Sequence, residues 1–395
     1  MRFYFRISVA ALAVSLLLCK GGNSPASARE NSESHREWND IARFLAGMEP
    51  DAGSTISDLE GLPAAESQRA YFAKIWPEVE KTQLEPQRKW RDEVLGKTEG
   101  FIFYPFSGAD FLNIYTFFPQ GSEYVFFGLE PPGPPPSVKG MKPADVNQSL
   151  AGLQVSLRSI LNYSFFQTLH MVNDLKATKL SGVAPVLLVF AARTGNKVHS
   201  VHNIRLHPDG KIESLPDPFS GKPEPAATSE DYVSGIRVVF QKPGATEYTH
   251  MDYFSIDISE EGLAKKPYFL KYIQSLGTPT TYLKAASYLM YNKDFTTIRN
   301  FILDESKLIL QDDSGIPLQY FKPQSFDLTF YGSYTRPIPL FDGKYQKDLY
   351  EMYLPKNHPK PLPFGIGYKF RKGDSNLMLA KRKTDRPDIP APPKQ

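Results

Sequence analysis

Cysteine is nearly missing from this chain of 395 residues: Cys19 is the only one. It lies in an N-terminal stretch with the marks of an export signal. Removal of that stretch leaves no disulfide, no thiolate nucleophile and no cysteine metal site. Charge of one sign is also missing. Lys and Arg number 46 against 43 Asp and Glu, and Arg2, Arg6 and Lys20 account for the whole excess. The processed chain is therefore electrically balanced, without the basic surplus of a general nucleic-acid binder. Long apolar runs are lacking too. Ile7–Leu18 covers 12 residues, too short to span a bilayer, so no transmembrane helix is expected in the mature protein. The common catalytic signatures do not occur: no G-x-S-x-G, H-E-x-x-H, S-x-x-K, G-x-x-x-x-G-K-[ST] or G-x-G-x-x-G. No cofactor is implied.

What is present begins with the signal. Arg2 and Arg6 precede the apolar run, and Ala26-Ser27-Ala28 gives a small-x-small cleavage pattern before Arg29. Cys19 offers lipidation as the alternative, but Leu18 is a poor fit to the small residue that such processing wants. About 360 remaining residues can bury a large core without staples, and the length favours two or so domains.

The densest aromatic stretch, residues 101–133, organises the rest. Turn signals at Tyr104–Gly108, Pro119–Gly121 and Glu130–Gly133 separate the apolar pieces Phe101–Phe103, Phe111–Phe118 and Tyr124–Leu129, read as buried strands or strand–loop joints. A helical segment, 29–98, precedes it and holds Trp38, Trp76 and Trp90 as packing anchors. A stiff connector, Pro131–Pro136, follows. Then come a long helix from Asn147 to near residue 177, a central strand Val183–Ala192 and a returning strand Lys197–His207. Residues 214–234 read as a linker. They divide an α+β lobe at 99–225 from a second at 230–382, with 383–395 as a frayed tail. In the second lobe the expected elements are strands at Gly235–Phe240 and Tyr248–Ile258, and helices at Pro267–Leu276 and Thr278–Asn292. Hairpins are expected at Leu308–Phe321 and Phe364–Lys381. The fold class is therefore α+β, with mixed, mainly antiparallel sheet and packed helices. A faint echo between FFPQGSEYVFF and FILDESKLILQ leaves open a pair of similar lobes.

Few residues stand out for chemistry. The loop Tyr104-Pro105-Phe106-Ser107-Gly108-Ala109-Asp110 combines a hydroxyl, a flexible glycine and a carboxylate among aromatics. It would suit the mouth of a cleft, or equally a turn whose Ser and Asp satisfy backbone groups. Glu130 could couple with Asp110 as an acid/base pair of the kind glycosidases use. Asp312 and Asp313 lack the alternate-residue oxygen spacing of a calcium loop and read as a hairpin turn, which could join a cleft if the two halves face each other. His199, His202 and His207 fall on one strand, too far apart or on opposite faces to share a metal, so no metal site is expected. Lys284 reads as a helix lysine that snorkels outward. Burial on the apolar side would instead make it a functional candidate.

YPFSGADF, FFP and GLEPPG resemble blocks of a family of uncharacterised exported bacterial proteins. SLRSILNYSFFQT, GIRVVFQKPG, TTYLKAASYLM and ILQDDSGIPLQYF look like further blocks of it. The resemblance covers roughly residues 100–380 and implies a bacterial, exported context, with no catalytic residue. The expected function is a non-enzymatic binding or envelope protein, whose partner is a small molecule or an envelope component. The alternative is a carboxylate-dependent hydrolase of a glycan or cell-wall substrate. N-terminal sequencing of the processed protein should start at or near Arg29. A diacylglyceryl-modified Cys19 would refute that route.

Overall fold

Alternation along β1 (Gly100–Tyr104) sets the layout. Phe101 and Phe103 face one buried cluster and Ile102 and Tyr104 the other, and none of the four is more than 4% exposed. A strand apolar on both faces needs cover on both faces. The computed structural model describes residues 36–163, 178–216, 231–370 and 373–383, and it supplies that cover. The signal segment, residues 164–177, most of the expected linker (217–230) and nearly all of the expected tail lie outside the described residues.

One mixed sheet of ten strands runs through the described residues, in the order β4-β3-β5-β6-β2-β1-β7-β8-β10-β9. Its middle is parallel: β6 (Tyr248–Ser255), β2 (Gly121–Gly128), β1, β7 (Thr280–Leu283) and β8 (Leu308–Gln311) all run the same way. Antiparallel strands flank this block. On one side are β5 (Val233–Gln241), β3 (Lys197–Leu206) and β4 (Ile212–Ser214). On the other are β10 (Asn376–Arg382) and β9 (Phe326–Gly332). Antiparallel ladders are thus the majority, five of nine, but they sit at the margins. The sheet does not follow the expected division into lobes, because β5 and β6 from the second half lie between β3 and β2 from the first.

Helices segregate by face. One cluster takes α1 (36–45), α2 (Ser57–Glu60), α3 (Pro63–Val79), α4 (Glu85–Val94), α5 (Phe111–Phe117), α6 (Pro143–Tyr163) and α7 (Ala184–Arg193). The opposite face takes α8 (Glu260–Lys265), α9 (Tyr268–Ser275), α10 (Thr296–Glu305) and α11 (Lys347–Met352). Pro77 and Pro86 do not split the front helices. A π-helical turn, Glu80–Leu84, carries the chain from α3 into α4, and Pro86 occupies the permissive start of α4.

Several expected elements change type. Val183–Ala192 is helical, α7. A continuous apolar run suits a helix buried all round as well as a central strand, and Ala184–Ala192 are all buried. Phe111–Phe118 becomes α5, started by Asp110, whose side chain accepts from Asn113 N. Thr278–Asn292 is not a helix. Thr280–Leu283 forms β7, because its β-branched pair fits the gap between β1 and β8. The expected hairpins are replaced by longer-range pairing. β8 pairs with β7 and β10, Leu318–Tyr320 is a 3-10 turn, and β10 lies between β8 and β9. Within 364–370 only the isolated Ile366–Lys369 bridge forms.

Trp90 ties the front helices to this body. Its ring meets Phe117, Tyr331 and Phe364 edge-on, at centroid distances of 5.9, 5.0 and 5.8 Å. Trp90→Ala should lower the unfolding free energy by about 3–5 kcal/mol, read from urea titration. A loss below about 1 kcal/mol would mean that α4 is only loosely docked.

Candidate functional site

After β1 the chain turns toward α5 on one face. After β7, its neighbour in the sheet, the chain leads to α10 on the other. Connections that part in this way open a crevice at the carboxyl ends of adjacent parallel strands, the place where open α/β sheets bind ligands. A cavity of about 200 Å³ lies there, built from the residues that follow β1, β2, β6 and β7. Phe106, Phe127, Leu129, Ile256, Leu289 and Phe295 give it apolar walls. Tyr104, Ser107, Asp110, Glu130, Lys284 and Ser287 bring polar groups to it.

Its floor is an ion pair. Lys284 Nζ lies 2.6 Å from Asp110 Oδ2, and each side chain is only 2% exposed. Asp110 Oδ2 also accepts from the Tyr104 hydroxyl at 2.9 Å, and Oδ1 accepts from Asn113 N at 3.2 Å and Asn113 Nδ2 at 2.9 Å. Both carboxylate oxygens are therefore engaged. Burial pulls the Lys284 ammonium below its ordinary pKa, against the upward pull of Asp110. Burial, then the Asp110 charge, pushes the Tyr104 hydroxyl well up, so it stays a proton donor.

The loops around the floor are strained. Among the described residues five non-glycine positions have positive φ. Four of them, Phe106, Ala285, Ser287 and Tyr288, lie in the loops that follow β1 and β7. Each left-handed residue costs about 1 kcal/mol or more and persists only where its surroundings hold it. Here they do. Ala285 N donates to Asp312 Oδ2 at 2.9 Å, and Ala286 N to Ser314 Oγ at 2.8 Å. Tyr368 donates to Ala285 O at 3.0 Å and meets the Ser287 hydroxyl at 2.6 Å. Burial and the neighbouring Asp313 push the Asp312 carboxyl up to about 6.

Of the residues singled out from sequence, Tyr104, Ser107, Asp110 and Glu130 surround this one cavity. Ser107 Oγ reaches the Gly108 and Phe127 carbonyls. Asp312 and Asp313 stand behind the cavity wall rather than in it. Asp313 takes the Tyr288 hydroxyl and Asn376 Nδ2. They form no hairpin turn but a buried knot under the strained loop. Lys284 does not snorkel. It follows a strand rather than lying in a helix, and the β-branched Thr280-Thr281 before it was the signal for that.

Glu130 is 3% exposed, and its Oε2 accepts from the Tyr253 hydroxyl at 3.0 Å. Gly128 makes room for it: a Cβ there would lie 2.3 Å from Oε2. Among the described residues no Lys, Arg or His lies within 4.0 Å of the Glu130 carboxylate.

Elsewhere among the described residues, one group of possible metal ligands converges, namely Glu123, His250 and Asp252. Arg237 already holds both Asp252 oxygens, at 2.7 and 2.5 Å, and His250 Nε2 lies 3.1 Å from Glu123 Oε1. This is an ion-pair network closed on itself, and the guanidinium repels a metal cation. His199 rests on Tyr248 at 4.1 Å, and His207 pairs with Glu213 at 3.0 Å.

No family model, curated protein or solved structure matches the chain. The site is therefore read from its own chemistry. Lys284→Met leaves the Asp110 carboxylate buried without its cation and should destabilise the protein by about 3–5 kcal/mol. Asp110→Asn combined with Lys284→Met should lose clearly less than the two single losses added, a coupling read from a double-mutant denaturation cycle. Strict additivity would show the pair to be uncoupled.

Proposed function

We propose that this is an exported, non-enzymatic binding protein that takes a small organic molecule in the crevice between β1 and β7. The observation that carries this reading is the locked floor. Asp110 accepts from Lys284, Tyr104 and Asn113 at once, so it has no free oxygen to move a proton. A preformed cavity with apolar walls and a few fixed polar groups suits recognition. Its volume of about 200 Å³ limits the occupant to fragment size. The carboxylate-hydrolase reading keeps one point in its favour: Asp110 and Glu130 line the same cavity. It would require Asp110 to give up most of its partners.

Ala286 lines the cavity at 1% exposure, so Ala286→Leu should fill it. In ligand-observed NMR with an uncharged aromatic fragment set, the wild type should bind saturably and Ala286→Leu at least about tenfold more weakly. Binding that survives the substitution would remove the crevice from consideration. Turnover of glycan or ester substrates that is abolished by Asp110→Asn would replace the binding reading with the hydrolytic one.

A further inference from the structure

A carboxylate out of water needs a cation or must give up its charge. Glu130 is such a carboxylate. It is 3% exposed, it lines the cavity, and no cationic side chain among the described residues pairs with it. Its one described donor is the Tyr253 hydroxyl, on Oε2, which leaves Oε1 with none. Among the described residues Lys284 is the only cation of the lining, and it is committed to Asp110. Asp257 adds a further acid among the lining residues. The described lining is therefore acidic, and the one cation in it already pairs with Asp110. Such a field excludes an anionic occupant and attracts a cationic one.

From this we infer that the occupant carries an ammonium group, which pairs with Glu130. This rests on the crevice being the binding site and adds the chemical class of its ligand. The walls fit the rest of such a molecule. Phe106 lies 6.5 Å from Phe127 and 5.9 Å from Phe295, centroid to centroid. Aromatic rings of this kind accept an apolar body and favour a cation near their faces. The ligand class is a small amine on an aromatic or aliphatic body. In the complex the ammonium and the carboxylate each replace the water that the other loses.

Three probes of like shape separate charge from fit: phenethylamine, 2-phenylethanol and 3-phenylpropionate. Binding of each to the mature full-length chain is measured by ligand-observed NMR at neutral pH. Phenethylamine should bind at least about tenfold more tightly than 2-phenylethanol, and 3-phenylpropionate more weakly than either. Glu130→Gln should bring the amine down to the level of the alcohol measured on the same variant. If 3-phenylpropionate matches or exceeds the amine, the inference is overturned. It is equally overturned if the amine shows no advantage over the alcohol in the wild type, a comparison that needs no variant to fold. If the alcohol binds and Ala286→Leu abolishes that binding, the crevice reading stands even when the amine preference fails. If no probe binds, or Ala286→Leu changes nothing, the crevice reading and this inference fall together.

Discussion

The buried pair of Asp110 and Lys284 joins two strands whose connections leave in opposite directions. β1 sends its chain to α5, and β7 sends its chain to the other face of the sheet. Each charge alone at 2% exposure would be strongly unfavourable. Together, with Tyr104 and Asn113 completing the hydrogen bonds of Asp110, they fix the loops after β1 and β7 against each other. The cavity is lined by residues of both loops. The same carboxylate starts α5, so a single side chain sets a helix, a strand junction and the floor of the crevice.

Strain surrounds this pair. Phe106, Ala285, Ser287 and Tyr288 adopt left-handed backbone, and a set of buried side chains holds the last three in place. Asp312 and Ser314 take successive backbone N–H groups of the loop, and Asp313 takes the Tyr288 hydroxyl. β8 thus supports the loop that follows β7, as a rigid element supports a binding surface. Gly367 allows this support: a Cβ there would lie 2.2 Å from Asp312 Oδ2.

Glu130 differs from these groups. Asp110, Asp252 and Asp313 are each saturated by protein partners. Glu130, equally buried, has one hydroxyl among the described residues. Those three carboxylates are closed, whereas Glu130 lines a cavity. That contrast within one molecule makes the ionic preference of the crevice a matter of local accounting rather than of overall charge, which is close to balance.

Local signals in the sequence determined the aromatic strands β1 and β2, the turn at Ser107–Asp110 and the mixed α+β class. Each depends on residues close together in the chain, on alternation, turn chemistry or composition. The same local signals misplaced α5, α7 and β7, where an apolar run fits both helix and strand and only the neighbours decide. Lys284 was illegible for a related reason. Its burial depends on Asp110, far away in sequence, and on a loop in left-handed backbone that no spacing rule announces. The tertiary structure alone placed β7 beside β1, and so brought Asp110, Glu130 and Lys284 around one cavity. Period and turn chemistry are properties of a few adjacent residues, whereas a site is a property of which strands lie side by side.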